Sequence, residues 1–484
     1  MSAGVQPCAK ARWAIAPSPL REVWIQTMIR DSRAADLACR AWAHLLLSAR
    51  RSVATLLASR FVGQVGTTLF AQLVVLVLAL GQAAIVARWL GPEGKGVLAL
   101  AQLLPGTLAI FLNFGINTAN VYHVGSRRLD VAKLASNSMM FALIGSAIGI
   151  GAIAASAAGG WLGLLMPGVP IPLLLLAMAS LPAFFIVGYS NSILQGLQRI
   201  STVNAVNIAQ ALLVLVLMGL LIVALGTGLL GAVVAFVAGG LVTSALVGWL
   251  LYRQGGALIP RWSWPTVRVV LPFGLRGYAG QLLQFFNYRL DMFLVNFFLD
   301  PASVGIYSVS VRMAELLWYL PNAVGFVMFP RAASAKPAEM RSLTPRVLWA
   351  TLALTTAGAV GLAILGRLLI VVIYSPAFLG AYAPLLALLP GVVLLGGAKV
   401  LTNVIAGRGY PQYNSVNAGV SFLLTVVFDL LLIPAHGVLG ASIASSVSYA
   451  STFIIAIGFY LALGRRADSA AQTEAGFGEG RQGS

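Results

Sequence analysis

Between residues 65 and 463 the sequence is a succession of twelve apolar runs, each long enough to cross a lipid bilayer as a helix. A crossing takes roughly 20 apolar residues. The runs cover 65–88, 96–122, 131–156, 171–195, 201–225 and 229–252, then, after a polar break, 273–299, 302–329, 346–374, 382–406, 412–434 and 438–463. Lipid offers the backbone no hydrogen-bond partner, so every N–H and C=O must be bonded within the chain, and a run of this length becomes a helix. The expected fold class is all-α and integral to the membrane, with about 12 transmembrane helices. Composition agrees: 9% of the 484 residues are charged, against about 25% in soluble domains. Such a surface has to face lipid.

The charges that remain are lopsided, 31 Lys+Arg against 13 Asp+Glu, for a net charge of +18. They sit in short loops rather than in one basic patch, so the reading is topogenic charge and contact with membrane lipids, and no nucleic acid. With an even helix number both termini share a side. Loops on that side hold Arg127, Arg128, Lys133, Arg199, Arg253, Arg261, Arg268, Arg331, Lys336, Arg341, Arg346, Arg408, Arg465 and Arg466; the opposite loops hold Arg88, Lys95 and Arg367. The positive-inside rule then places both termini in the cytoplasm. Residues 1–60 read as a cytoplasmic tail without a convincing signal peptide, and Met28 offers an alternative start. Residues 467–484 read as a disordered cytoplasmic tail. Cys8 and Cys39 lie in the first tail, and the histidines are His44, His123 and His436, so neither a disulfide framework nor a metal site is expected.

The two halves, 61–255 and 256–466, repeat one another. Leu90-Gly91-Pro92 with Gly96 recurs as Leu299-Asp300-Pro301 with Gly305, at an offset of 209. Gly228-Leu229-Leu230-Gly231-Ala232 recurs as Gly437-Val438-Leu439-Gly440-Ala441 at the same offset. Pro182 corresponds to Pro390, and Val203-Asn204-Ala205 to Val416-Asn417-Ala418, with small shifts. Six helices per copy make a parallel repeat of two six-helix bundles. Transporters built this way hold substrate in a central cavity between the bundles and rock them for alternating access. Pro105, Pro182, Pro321 and Pro390 fall inside predicted spans, either as hinges or as fixed kinks.

Ala84-Ile85-Val86-Ala87-Arg88-Trp89-Leu90-Gly91-Pro92-Glu93-Gly94 followed by Gly96 resembles the first-helix signature of the bacterial polysaccharide biosynthesis and oligosaccharide-repeat flippase family. That family belongs to the multidrug/oligosaccharidyl-lipid/polysaccharide exporter superfamily. Arg289-Leu290-Asp291 with Gly305-Ile306-Tyr307-Ser308-Val309, and Leu432-Ile433-Pro434 with Gly437 to Ser442, resemble later motifs of the same family. The likeness implies a V-shaped twelve-helix fold and translocation of an undecaprenyl-pyrophosphate-linked oligosaccharide across the bacterial cytoplasmic (inner) membrane, for exopolysaccharide or O-antigen-type synthesis. It implies a transporter rather than an enzyme, no cofactor, H+ or Na+ as candidate coupling ions, and a lipid-linked oligosaccharide as partner, with a polysaccharide polymerase and glycosyltransferases as further candidates. Arg312-Met313-Ala314-Glu315 is similar to an Arg-x-x-Glu of the related lipid II flippases. Gln82 and Ala83 stand where those carry an Arg-Asp pair, which argues against lipid II as the cargo.

Charges within apolar runs are costly, at least ~2.5 kcal/mol each, and should face protein or water. Arg312 and Glu315, at i and i+3, share one helical face. Arg312 is the leading candidate to bind pyrophosphate, with Glu315 poising it or carrying a proton; the alternative is a structural ion pair. Arg276, Lys399 and Arg289 join it as candidate cavity cations. Asp291 and Asp429 are candidate coupling acids, Asp291 standing on a different face from Arg289, and Lys399 and Asp429 could instead pair with each other. Arg88 and Arg367 read as anchors at helix ends. Gly91 to Lys95 lacks the full phosphate-loop spacing, and no ATP site is present, so an ion gradient, membrane potential or product removal has to drive transport. A multidrug cation antiporter of the same superfamily would prefer acidic cavity walls. A membrane polymerase or ligase would carry a long extracytoplasmic loop, and none occurs. A non-transporting assembly partner is the remaining alternative.

Overall fold

The computed structural model describes residues 60–335 and 337–479. The chain from Ala71 onward forms one compact unit. The predicted tail up to residue 59, with Cys8 and Cys39, lies outside the described residues. Among the described residues the structure is helical and has no strand. In order, the first half comprises α1 (Arg60–Phe111), α2 (Ile116–Gly125), α3 (Val131–Ala158), α4 (Trp161–Leu165), α5 (Ile171–Met178), α6 (Leu181–Gly196), α7 (Ile200–Met218) and α8 (Gly228–Arg253). The second half comprises α9 (Trp264–Phe298), α10 (Pro301–Glu315), α11 (Tyr319–Ser334), α12 (Pro337–Leu369), α13 (Tyr382–Gly407) and α14 (Pro411–Glu479).

Eight helical stretches among the described residues are long and apolar enough to cross a membrane. Two are far too long for one crossing: Thr67–Phe111 has 45 residues and Pro411–Leu463 has 53, or about 68 and 80 Å at the helical rise. Each divides at a glycine with left-handed backbone, Gly91 (φ 67) and Gly437 (φ 60). The predicted runs 273–299 and 302–329 coincide with α9 and with α10 plus α11. These helices carry Arg, Asp, Asn and Gln among their aliphatics.

Local chemistry explains where the helices break. Pro182 and Pro321 do not kink continuous helices. Pro182 lies in the first turn of α6, and Pro321 in the first turn of α11, after a tight turn at Leu316–Trp318. Proline costs nothing there, because the first-turn N–H has no partner in any case. Pro105 and Pro390 do lie inside helices, α1 and α13. The predicted run 96–122 is interrupted between Phe111 and Ile116, where Gly115 adopts φ 73. At the C-terminus α14 continues to residue 479, into the segment from 467 onward that the sequence reads as disordered; alanines at 467, 470, 471 and 475 supply helix propensity there.

The helices are inside out by soluble standards. On α14, Asn417, Ser421, Thr425 and Asp429 recur every fourth residue and are buried, while Leu423, Val427 and Leu431 on the opposite face are exposed. Ile364, Leu368 and Val372 form a second exposed aliphatic stripe, along α12 and the turn after it. Aliphatic stripes outside and hydroxyls inside are what a lipid surround selects. On α14 the buried hydroxyls are linked: Thr425 donates to Ser448 at 2.7 Å, and Ser448 donates to Asn287 at 3.0 Å.

The repeat is visible as contact geometry. Gly96 and Gly305, separated by the repeat offset, pack against one another. A Cβ on Gly96 would overlap the Pro301 carbonyl, and a Cβ on Gly305 would overlap the Pro92 carbonyl. Each copy thus presents its glycine to the other's proline, the mutual exchange expected about a two-fold axis. Gly228 and Gly437, also offset by 209, share φ 60. At this end of the molecule Arg88 donates to the Val372 carbonyl, tying the two halves together. The halves meet again at the arginine-rich end. There Gly115 and Gly274 are in backbone contact, the Tyr278 hydroxyl donates to the carbonyls of Ile110 and Phe111, and Tyr122 stacks on Phe273 at 4.4 Å.

Candidate substrate cavity

Between these two contact regions lies a cavity of about 580 Å³, within the range of small-molecule sites. Three helices supply its charged residues. From α1 come Lys95 and Gln102, on the face that also presents Ala99 and Gly106, and Asn113 follows from the break between α1 and α2. From α9 come Phe285, Arg289 and Met292, and from α10 come Ser308, Arg312 and Glu315. The last two sets each follow i, i+4, i+7, one stripe of a helix turned toward the same space.

Three cations and one acid line the cavity. Glu315 is the hub: its carboxylate forms ion pairs with Arg289 at 2.9 Å and with Arg312 at 3.5 Å. The Arg312 side chain keeps 50% of its surface open, against 12% for Glu315. Lys95 completes the basic surface, its ammonium 5.4 Å above the Tyr374 ring. One carboxylate thus stands beside three basic side chains in this lining. Gln82 and Ala83 also line the cavity, so its wall is uncharged at those two places.

Arg312, Glu315 and Arg289 are therefore brought together. Arg289 and Asp291 do separate onto different faces: Arg289 turns to Glu315, while Asp291 is buried and accepts from the hydroxyls of Tyr307 and, at 3.3 Å, Ser445. Asp429 is also fully buried, and neither carboxylate oxygen has a hydrogen-bond partner among the described residues. Lys399 does not line the cavity and is not paired with Asp429. Its ammonium donates to Asn322 Oδ1 at 2.8 Å and sits 4.3 Å above the Trp318 ring. Arg276 and Arg367 are exposed and outside the lining.

Lys95 is the functional candidate that sequence reading placed elsewhere, as an outer-loop charge. The helix restarts immediately after Gly91, so Lys95 is already one turn inside it. Its spacing to Ala99, Gln102 and Gly106, four, seven and eleven residues, is the helical stripe that could have revealed it.

The chain has known relatives in sequence and in fold. Residues 61–336, more than half of the chain, match a family described as "Polysaccharide biosynthesis protein". The probable low-salt glycan biosynthesis flippase Agl15 of Haloferax volcanii is 23% identical over 388 residues, covering 76% of this chain and 77% of that protein. Two further curated relatives are matched over only 36% and 37% of their own lengths. Among solved structures, the lipid II flippase MurJ in an inward closed conformation superposes with a TM-score of 0.67 at 16% identity, over 80% of this chain and 86% of that one. An inward-facing multidrug resistance MATE family transporter of the MOP superfamily gives the same TM-score at 19% identity, over 82% and 95%. The fold is that of this group of membrane transporters.

Proposed function

The chain belongs to the polysaccharide biosynthesis protein family, and on that footing we propose that it is a flippase carrying undecaprenyl-pyrophosphate-linked oligosaccharide across the bacterial cytoplasmic membrane. The observation that carries this reading is the convergence of Lys95, Arg289 and Arg312 around the single acid Glu315. A pyrophosphate needs dense, directional positive charge, and arginine's planar fork matches phosphate oxygens. The polyprenyl tail can stay in lipid while the polar head crosses. In this reading there are twelve crossings, the arginine-rich end is cytoplasmic, and both termini lie on that side. Polysaccharide polymerase and glycosyltransferases are then its working neighbours.

The test is a cargo panel. Purified protein in liposomes should flip a fluorescent undecaprenyl-pyrophosphate oligosaccharide at least about tenfold faster than it flips lipid II or moves ethidium. Ethidium transport without oligosaccharide flipping would hand the chain to the multidrug reading, which the equal superposition on a multidrug transporter keeps alive.

Coupling is assigned to Asp291 and Asp429 rather than to the cavity. Both are buried in the second half; Asp291 accepts from the hydroxyls of Tyr307 and Ser445, and Asp429 has no hydrogen-bond partner among the described residues. An unpaired buried carboxylate must take up a proton or a cation. Asp291→Asn keeps an acceptor for Tyr307 and removes the charge. It should abolish stimulation by an imposed H+ or Na+ gradient while leaving cargo binding intact, measured in the same liposomes. Undiminished stimulation would remove Asp291 from the coupling path.

A further inference from the structure

A second cavity, about 630 Å³, opens beside the first at the arginine-rich end. Asn117 and Gly188 line both, so the two are neighbours along one path. Their chemistry differs. No charged side chain lines the second cavity; its wall is made of the amides of Asn117, Asn191 and Gln195, the Thr118 hydroxyl and the stacked rings of Tyr122 and Phe273. The nearest cation on its rim, Arg128, lies over the Tyr122 ring at 5.4 Å and outside the lining.

The polar groups here are underused. The side-chain oxygens of Asn117 and Asn191 are buried and have no hydrogen-bond partner among the described residues. The Thr118 oxygen accepts from Gln281 at 3.4 Å, a long bond that leaves its own hydrogen free. Orphaned acceptors beside free donors suit a ligand that carries both on each group.

We infer that this vestibule is the sugar subsite: it holds the first, uncharged saccharides of the cargo while the cationic cavity holds the pyrophosphate. The inference rests on the flippase reading above. Hydroxyl-rich, uncharged rings need amide and hydroxyl partners and an apolar wall, which the vestibule has, and gain nothing from fixed charge, which it lacks. A free lipid phosphate would choose the neighbouring cavity, and a polyprenyl tail would leave the amides unpaired.

The test compares two probes on the full chain in nanodiscs: undecaprenyl pyrophosphate without sugar, and the same lipid bearing the oligosaccharide. Gln195→Ala and Asn191→Ala should each weaken binding of the glycosylated lipid about threefold to tenfold and leave the bare lipid unchanged. Gln195 is exposed, so its variant carries little folding risk. Equal weakening of both probes, or of neither, overturns the subsite, because the amides then shape the fold or merely hold water. A wild-type protein that binds neither lipid overturns the flippase reading and the subsite with it.

Discussion

Replacing Arg312 with alanine should slow oligosaccharide flipping by at least about tenfold, and adding Lys95→Ala should slow it further. A charge-assisted hydrogen bond contributes about 1.5–3 kcal/mol, and each 1.4 kcal/mol is a factor of ten. The Arg312 guanidinium is half open to the cavity, so its donors are free for a ligand. The variant should still fold. Glu315 keeps its shorter contact to Arg289 at 2.9 Å, so no buried acid is left stranded. Arg312→Lys should recover only part of the rate, since lysine offers a point charge without the fork. The measurement is leaflet exposure of labelled lipid-linked oligosaccharide at matched protein levels. A rate for Arg312→Ala within about twofold of wild type, on that tenfold scale, would remove the pyrophosphate role.

The second large effect is steric. Gly305→Val and Gly96→Val should each lower flipping about tenfold or more while leaving cargo binding near wild type. At both positions the atoms that a new side chain would strike are backbone, the carbonyls of Pro92 and Pro301, which cannot rotate aside. Overpacking of this kind costs about 1–3 kcal/mol, which shifts a two-state equilibrium by roughly 5- to 150-fold away from the form closed at that end. The consequence can be read directly. With Cys8 and Cys39 replaced by serine, a cysteine at Ser308 in the cavity should label faster with a membrane-impermeant thiol reagent added outside when Gly305 is valine. Unchanged labelling and unchanged flipping would mean that the glycine contact is not a gate.

Much of this was legible in sequence. Run length and the poverty of charge fixed an all-helical membrane chain, because lipid leaves the backbone no other solution. The offset of 209 between Pro92 and Pro301 announced the repeat, and Arg312 with Glu315 announced a charged helical face. The breaks were harder to read. Pro182 and Pro321 start new helical pieces rather than bend old ones, and a proline inside an apolar run reads the same in either case. Lys95 was hidden by its place next to a turn: four residues decide whether a charge counts as loop or as helix, and only the backbone of Gly91 settles that.

The sequence by itself determined that the chain is a succession of apolar helices and that two copies of one plan are joined. Those properties depend on periods of a few residues and on transfer from water, both local. Only the tertiary structure decided that Arg289 and Arg312 share Glu315, that Lys399 is held by Trp318 and Asn322 away from the cavity, and that Gly96 rests on its counterpart Gly305. Each is a contact between helices far apart in the chain. Which charge meets which is set by how helices rotate against one another, and that rotation is fixed by close packing of small residues, which hydropathy does not encode.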